Sequence, residues 1–287
     1  MLHAYVTLGL LKFMAKEVLI TGAFGRVGTA IIDHLSDNSA YNFTYLNRSD
    51  SEEYETFVAD VCDREAIQPA FEGKDAVVHL AGYPETDGTW DEVLDNNIIG
   101  MYNTLEAVKE AEVEKFIFGS TNHVVGMFEV DNAPDIYELD FEHVIDHTEP
   151  HRPDTYYGTS KAFDEALGRY YQENFSHPQQ FYALRIASVR HEAYDHPYGD
   201  AEQGVERGDW DRGSEEYQMW VARMKSMWHS RRDLAHMVEC CLEDDSVEFD
   251  IFYGVSDNDR RWFDIEHARD IIGYDPQDNG EEWKAAP

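Results

Sequence analysis

An α/β protein built on a doubly wound parallel sheet of the Rossmann type, with a small C-terminal substrate-binding region, is predicted by three features of this chain. A glycine-rich turn, Gly22-Ala23-Phe24-Gly25-Arg26-Val27-Gly28, joins an apolar strand to a helix. Strands and helices then alternate as far as Ser188, the rhythm of βαβ units. A tyrosine and a lysine one helical turn apart, Tyr157 and Lys161, open the helix that follows the fifth strand.

The elements follow in order. Residues 17–21 form a short apolar strand, and Ala30, Ile31, Ile32 and Leu35 recur at helical spacing behind the glycine turn. Residues 43–46 and 56–59 are short strands, 75–79 a fourth and 115–119 a fifth, with a helix over 90–111 between the last two. The helix carrying Tyr157 and Lys161 runs to about 175, and 180–186 form the sixth strand. Beyond Ser188 the rhythm breaks. Residues 191–217, rich in Asp, Glu and Gly, read as a surface insertion, either a solvated loop or a lid. Helices over 232–242 and 265–272 flank a strand at 248–255. The expected organisation is a dinucleotide-binding domain over 14–188, a substrate-binding region over 189–287 packed on it, and a poorly ordered N-terminal extension over 1–13, ahead of a natural start at Met14.

Composition narrows the function. The 287 residues carry 58 Asp and Glu against 23 Lys and Arg, a formal charge of −35 that is spread along the chain. Hydrated carboxylates at this density suit a protein working in screening salt, so a halophile's protein is expected. Nucleic acid is excluded as a partner, because its binding rests on cations that neutralise phosphates. Three cysteines, two of them adjacent (Cys240 and Cys241), argue against a disulfide framework and for the reducing cytoplasm. The apolar run 2–13 lacks a charged start and a cleavage site and is too short to span a bilayer, so no membrane role is expected. Scattered histidines show no zinc-type spacing, and no metal is expected.

In the glycine turn, Gly22 permits the tight bend, Gly25 the approach of a pyrophosphate and Gly28 the close packing of helix on strand. Phe24, Arg26 and Val27 lie between them on the same path. Where an acid often holds the ribose 2′-hydroxyl, this chain has Asn47-Arg48. Asn47 suits a hydroxyl and Arg48 a 2′-phosphate, so NAD is expected with NADP left open. Asp60 and Val61 are expected at the adenine edge, Leu80, Ala81 and Gly82 beneath the cofactor, and Asn97 on the next helix. His79 is read as a core residue. Lys161, one turn from Tyr157, places an ammonium near a phenol and should lower its pKa toward that of a useful general base.

In sequence order, Gly-x-x-Gly-x-x-Gly, Asp60-Val61, His79-Leu80-Ala81-Gly82, Asn97-x-x-Gly100, Ser120-Thr121 and Tyr157-x-x-x-Lys161 resemble the extended short-chain dehydrogenase/reductase superfamily, over nearly the whole chain from Glu17. Four further stretches resemble the uronate dehydrogenases: 120–126, 152–158, Arg185-Ile-Ala-Ser188, and Arg223-Met-x-Ser-x-Trp228. Residues 255–260 and 273–276 resemble the glucose-6-phosphate dehydrogenases of the same group. The resemblance implies Tyr157 as base, Lys161 as its modulator and ribose ligand, and Thr121 at the position of the catalytic serine. It implies Asn122, His123 and Ser188 as substrate contacts, Arg223 as the arginine that meets a substrate carboxylate, and Ile186 along the cofactor path.

A charge argument points the same way. Arg223, Lys225, Arg231 and Arg232 cluster beside the expected pocket, where they either clamp an anion or pair with neighbouring carboxylates. The expected reaction is oxidation of the C1 hydroxyl of a cyclic anionic sugar to a lactone, hydride passing to NAD. Glucose 6-phosphate is the first substrate, followed by a uronate and then a neutral aldose such as arabinose. A nucleotide-sugar epimerase and a non-catalytic dinucleotide sensor are the alternatives. The helices over 90–111 and 155–175 are candidates for pairing two copies of the chain in a homo-oligomer.

Overall fold

The computed structural model describes residues 15–287, so the extension expected over 1–13 lies outside the described residues. Seven strands, β1 Lys16–Thr21, β2 Tyr41–Asn47, β3 Thr56–Val58, β4 Ala76–His79, β5 Lys115–Thr121, β6 Gln180–Ile186 and β7 Phe249–Gly254, form one sheet. Every pair is parallel and the order is β3-β2-β1-β4-β5-β6-β7. The predicted doubly wound fold is the one observed. Because the order reverses beside β1, a crevice opens between β1 and β4 at the carboxyl ends of the strands, where such sheets take ligands.

The ten α-helices of the described residues are α1 Arg26–Leu35, α2 Arg64–Ile67, α3 Trp90–Val93, α4 Gly100–Glu110, α5 Met127–Asn132, α6 Tyr156–Asn174, α7 Gly199–Arg207, α8 Glu215–Met227, α9 Arg231–Glu243 and α10 Glu266–Ile272. Strand alternation fills the space on both sheet faces. Val18, Ile20, Val78, Ile117 and Leu184 meet Ile31 of α1 and Leu234 and Val238 of α9. Leu19, Val77, Phe116, Phe118 and Phe181 meet Met101, Leu105 and Val108 of α4 and Tyr171 of α6. With both faces covered the strands read as continuous apolar runs.

The helix predicted over 90–111 is α3 and α4 joined by a π-helical turn, Leu94–Ile99. That turn buries Asn97. A third apolar cluster joins the C-terminal region to the rest: Tyr253, Val255, Trp262, Phe263 and Met227 pack with Val125, Ile136 and Ile145.

The reading of 191–217 as a loop is corrected. The segment contains α7, closed by left-handed Gly208 (φ 80°), and ends in the first residues of α8, capped by Ser214. Ala201, Tyr217 and Val221 form a core between these helices, with Tyr198, Val205, Trp210 and Trp220 against it. Acidic residues on the outer positions masked this short apolar stripe. No helix among the described residues is long and apolar enough to cross a membrane.

Candidate active site

A cleft of about 750 Å³ lies along the carboxyl ends of the strands. Its floor begins where β1 leaves Thr21 for Gly22, whose φ of 68° belongs to the left-handed region; a Cβ there would lie 2.7 Å from the Ala81 nitrogen. A Cβ on Gly28 would stand 2.2 Å from the Ala23 carbonyl oxygen, so only glycine lets α1 sit this close to the strand. Gly25 precedes α1 in extended conformation and offers no side-chain cap, and no acid occupies the first turn. The first amides of α1 therefore lack a side-chain partner and suit a pyrophosphate. These features fit the dinucleotide that the glycine spacing implied.

Most predicted cofactor residues line this cleft: Gly22, Gly25, Arg26, Val27 and Gly28 at the turn, Asn47 and Arg48 at the end of β2, Val61, then Leu80, Ala81 and Gly82 after β4, with Tyr157, Lys161 and Ile186. Asn47 spends its amide on Ser49, through the carbonyl at 3.2 Å and the hydroxyl at 3.0 Å. Arg48 donates to Asn96 at 3.3 Å.

Three predicted residues are elsewhere. Phe24 packs its ring near Tyr45 and Tyr54, with centroids 6.0 and 6.1 Å away, outside the cleft lining. Asp60 turns its carboxylate back to accept from the Cys62 amide at 2.9 Å, leaving Val61 to face the cleft. Asn97 acts from behind the wall, accepting from the Tyr83 amide at 2.6 Å and donating to Ser160 at 2.9 Å. His79 is a buried core residue, as read; its Nδ1 is 2.8 Å from the Thr21 hydroxyl, and burial, helped by the Lys161 charge, pushes its pKa down to about 3.

The chemical end of the cleft is assembled from the end of β5 and the start of α6. Thr121 closes β5, Asn122 and His123 follow it in a short 3-10 turn, and Tyr157 and Lys161 stand on the first turns of α6, which Thr155 caps. Gly158 is needed for this junction, since a Cβ there would lie 2.4 Å from the His123 carbonyl oxygen. Asn122 is buried and its Nδ2 has no partner, an orphaned donor in the wall of the cleft.

Lys161, expected to lower the Tyr157 pKa, is not among the main influences on the phenol. Burial pushes the phenol up to about 12, against the opposing pull of the Thr121 hydroxyl and the Arg26 charge. The Lys161 ammonium lies 4.5 Å from the centre of the Phe118 ring and 5.9 Å from that of Tyr157. Burial lowers its own pKa, while Asp164 and Glu165 pull it back up.

His123 is held by a residue that sequence reasoning missed. Its Nδ1 stands 3.0 Å from both oxygens of Asp154, leaving Nε2 for the cleft. Burial, the largest single influence, raises the Asp154 pKa, but the hydrogen bond and charge of His123, with the backbone and Arg223, together hold the carboxyl below its ordinary value. Asp154 belongs to the 152–158 motif, which was a signal to follow.

Arg223 and Ser188 both line the cleft. Its guanidinium is engaged by Glu129, Nε to Oε1 at 2.6 Å and Nη2 to Oε2 at 3.2 Å, and Tyr137 donates to the same carboxylate at 2.6 Å. No local signal marked Glu129, which meets Arg223 across 94 residues of chain. The other three cations of that stretch are structural: Lys225 donates to Glu281 and the Trp283 carbonyl, Arg231 pairs with Asp33, and Arg232 pairs with Asp278. A group formed by His147, Asp250 and His267 lies outside the cleft lining, its histidine rings stacked at 3.8 Å.

Residues 18–196 match the family described as the NAD dependent epimerase/dehydratase family. The chain belongs to this family. Within it, the chain is 41% identical to an NAD-dependent glucose-6-phosphate dehydrogenase of Haloferax volcanii, over 94% of this chain and 96% of that one. It is 34% identical to an L-arabinose 1-dehydrogenase (NAD(P)(+)) of the same organism, over 92% and 97%. Among solved structures, uronate dehydrogenase from Agrobacterium tumefaciens superposes with a TM-score of 0.73 at 26% identity, covering 94% of this chain and 87% of that one.

Proposed function

We propose that this protein oxidises the C1 hydroxyl of a cyclic aldose to the lactone, with glucose 6-phosphate as its first substrate and NAD as hydride acceptor. One observation carries the reading: the Tyr157 phenol, the Thr121 hydroxyl and the orphaned Asn122 amide share one cleft with the glycine turn. The likeness to the Haloferax volcanii glucose-6-phosphate dehydrogenase supports the choice of sugar.

Thr121 and Asn122 would hold the C1 oxygen, and His123, oriented by Asp154, would meet a ring hydroxyl. Tyr157 would take the hydroxyl proton as the C1–H bond breaks. NAD, when bound, supplies the acceptor for the hydride. Lys161 would hold the ribose beside Tyr157. The chain thus contributes position and proton transfer. Arg48, with no acid beside it in the cleft lining, supports NADP as a second acceptor.

Arg223 supports a uronate as second substrate. Three free cysteines support a reducing cytoplasm. Trp90 on α3, Ile99 on the π-helical turn, Tyr102 on α4, and Tyr156, Phe163 and Tyr170 on α6 are exposed on neighbouring elements, which supports pairing of two copies through these helices.

The test is NADH absorbance with glucose 6-phosphate, glucuronate, galacturonate and arabinose in molar salt, with each dinucleotide. Oxidation of glucose 6-phosphate at the highest kcat/KM is expected. Absence of turnover on all four sugars would discard the dehydrogenase reading in favour of an epimerase or a sensor.

A further inference from the structure

A side chamber of about 220 Å³ opens off the main cleft, sharing Arg26, Arg190, His191, Asp200 and Trp220 with it and closed by Gln203, Arg207 and Trp210. Its outer wall is the helical insertion, and that wall is built rather than draped. The Trp210 ring stacks on Trp220 at 5.6 Å and donates its Nε1 to the Ala201 carbonyl at 2.9 Å. A Cβ on Gly204 would fall 1.9 Å from the Trp210 ring, so glycine is required where the indole seats against α7.

The chamber concentrates cations in a chain that has few. Arg190 is fixed by two hydrogen bonds to Asp200 and donates to the Val189 carbonyl at 3.0 Å. Arg207 and Arg26 are held loosely by exposed acids, Asp209 at 2.8 Å and Glu85 at 3.7 Å. Asp200, in the lining, neutralises Arg190, so the net positive charge comes from Arg26 and Arg207; burial and then the charges of Arg26, Arg231 and Arg190 push the His191 pKa down.

Arg223, the alternative anion contact, is paired with Glu129 as Arg190 is with Asp200; what distinguishes the chamber is that Arg26 and Arg207, held only by exposed acids, line it beside Arg190. We infer that the chamber is the phosphate subsite of the enzyme: Arg190, Arg26 and Arg207 take the phosphoryl group of a phosphorylated sugar whose C1 lies at Tyr157. Its volume exceeds several times the roughly 30 Å³ share of one water, enough for a phosphoryl group with part of its hydration. Arginines suit the group because their forked donors match its oxygens. This assignment rests on the sugar dehydrogenase reading for its substrate, but not for its anion.

Two measurements on the full chain test it, at constant ionic strength. Inorganic phosphate is titrated against tryptophan fluorescence, with the Trp210–Trp220 stack as reporter, in wild type, Arg190→Gln and Arg207→Gln. Arg207 is exposed, so its variant keeps the fold even if Arg190→Gln does not. Phosphate affinity is expected to fall by about tenfold or more in Arg190→Gln and severalfold in Arg207→Gln. The second readout is the ratio of kcat/KM for glucose 6-phosphate to that for glucose, which should fall in step.

A wild type that does not bind phosphate, or variants that bind it equally, overturns the assignment. So does a rise in the KM for NAD with an unchanged sugar ratio, since the chamber would then serve the cofactor's phosphates. Phosphate binding that is lost in the variants, in a protein that oxidises no sugar, upholds the anion site and removes the dehydrogenase reading alone.

Discussion

Glu129 decides whether Arg223 is available to a substrate, and Glu129→Gln makes that measurable. The pair is well screened from solvent, with side-chain exposures of 16% for Arg223 and 11% for Glu129, and joined by two hydrogen bonds. At about 4 Å and an effective dielectric of about 20, two unit charges attract by roughly 4 kcal/mol. A substrate carboxylate must compete with that attraction. Glutamine keeps an oxygen for Nε and for the Tyr137 hydroxyl but removes the charge, and sets an amide N–H against Nη2. The freed guanidinium should then gain about 1.4 kcal/mol with a carboxylate, a tenfold fall in KM for glucuronate.

Folding bears the opposite effect. Leaving a buried cation without its anion costs about 3 kcal/mol, less where cleft water reaches it. The assays are initial rates by NADH absorbance with glucuronate and glucose 6-phosphate, and thermal unfolding in the same salt. The ratio of kcat/KM for glucuronate to that for glucose 6-phosphate should rise by about tenfold. A folded variant whose glucuronate KM is unchanged or higher would refute the role given to the pair, and Arg223→Gln, which should lose glucuronate turnover, is the control.

Tyr157→Phe should lower kcat by about 10³ or more while retaining dinucleotide binding by calorimetry. Because burial holds the phenol up to about 12, its deprotonated fraction grows as pH rises, so the oxidation rate of the wild type should climb without a plateau below about pH 10. Arg48→Ala should raise the KM for NADP more than that for NAD, by about tenfold, read from initial rates with each. Glu165 binds the buried Arg185 bidentately at 2.9 and 3.0 Å and accepts from Ser120 at 2.6 Å, so Glu165→Gln should cost about 3 to 5 kcal/mol by chemical denaturation. Burial opposes ionisation of Glu165, yet His151 and Arg185 prevail and hold its pKa below the ordinary 4.5. Its contribution is therefore complete above pH 4.5 and is lost as pH falls through the depressed value, and the stability gap between wild type and variant should close in acid.

The sheet was legible because its strands are covered on both faces and its glycines leave no choice of residue at the first turn. Gly22 and Gly28 each face backbone atoms closer than 3 Å, so the motif is a steric necessity before it is a binding signal. The segment with α7 and α8 was less legible, because a helix of nine residues carrying one narrow apolar stripe among acids has the composition of a loop. Within the site, residue type predicted placement where the backbone forces a side chain into the cleft, as at Thr121, Asn122 and Tyr157 on the strand end and helix start.

Placement failed where local hydrogen bonds redirect a polar group, as when Asp60 folds onto the Cys62 amide. It failed again where a change of helical pitch rotates one, as when the π-helical turn buries Asn97. Pairings such as Glu129 with Arg223 are set by tertiary packing alone.

The scarcity of cations gives these pairings a further consequence. Among the described residues, Arg185, Arg231 and Lys115 are all at least 95% buried: Arg185 faces Glu165, Arg231 faces Asp33, and Lys115 donates to the Cys241 and Leu242 carbonyls at the end of α9 at 2.8 and 3.0 Å. Cations committed to the interior cannot offset the acidic exterior, so solution ions must. That exterior would repel an anionic sugar at low salt, because its field reaches about 30 Å at 0.01 M and only about 3 Å at 1 M. In molar salt the repulsion stops short of the cleft mouth, whereas in the proposed subsite Arg190 and Arg26 would act on a phosphoryl group in direct contact, inside the screening distance. Molar salt would therefore let a protein of charge −35 take a negatively charged substrate that its own surface would otherwise repel.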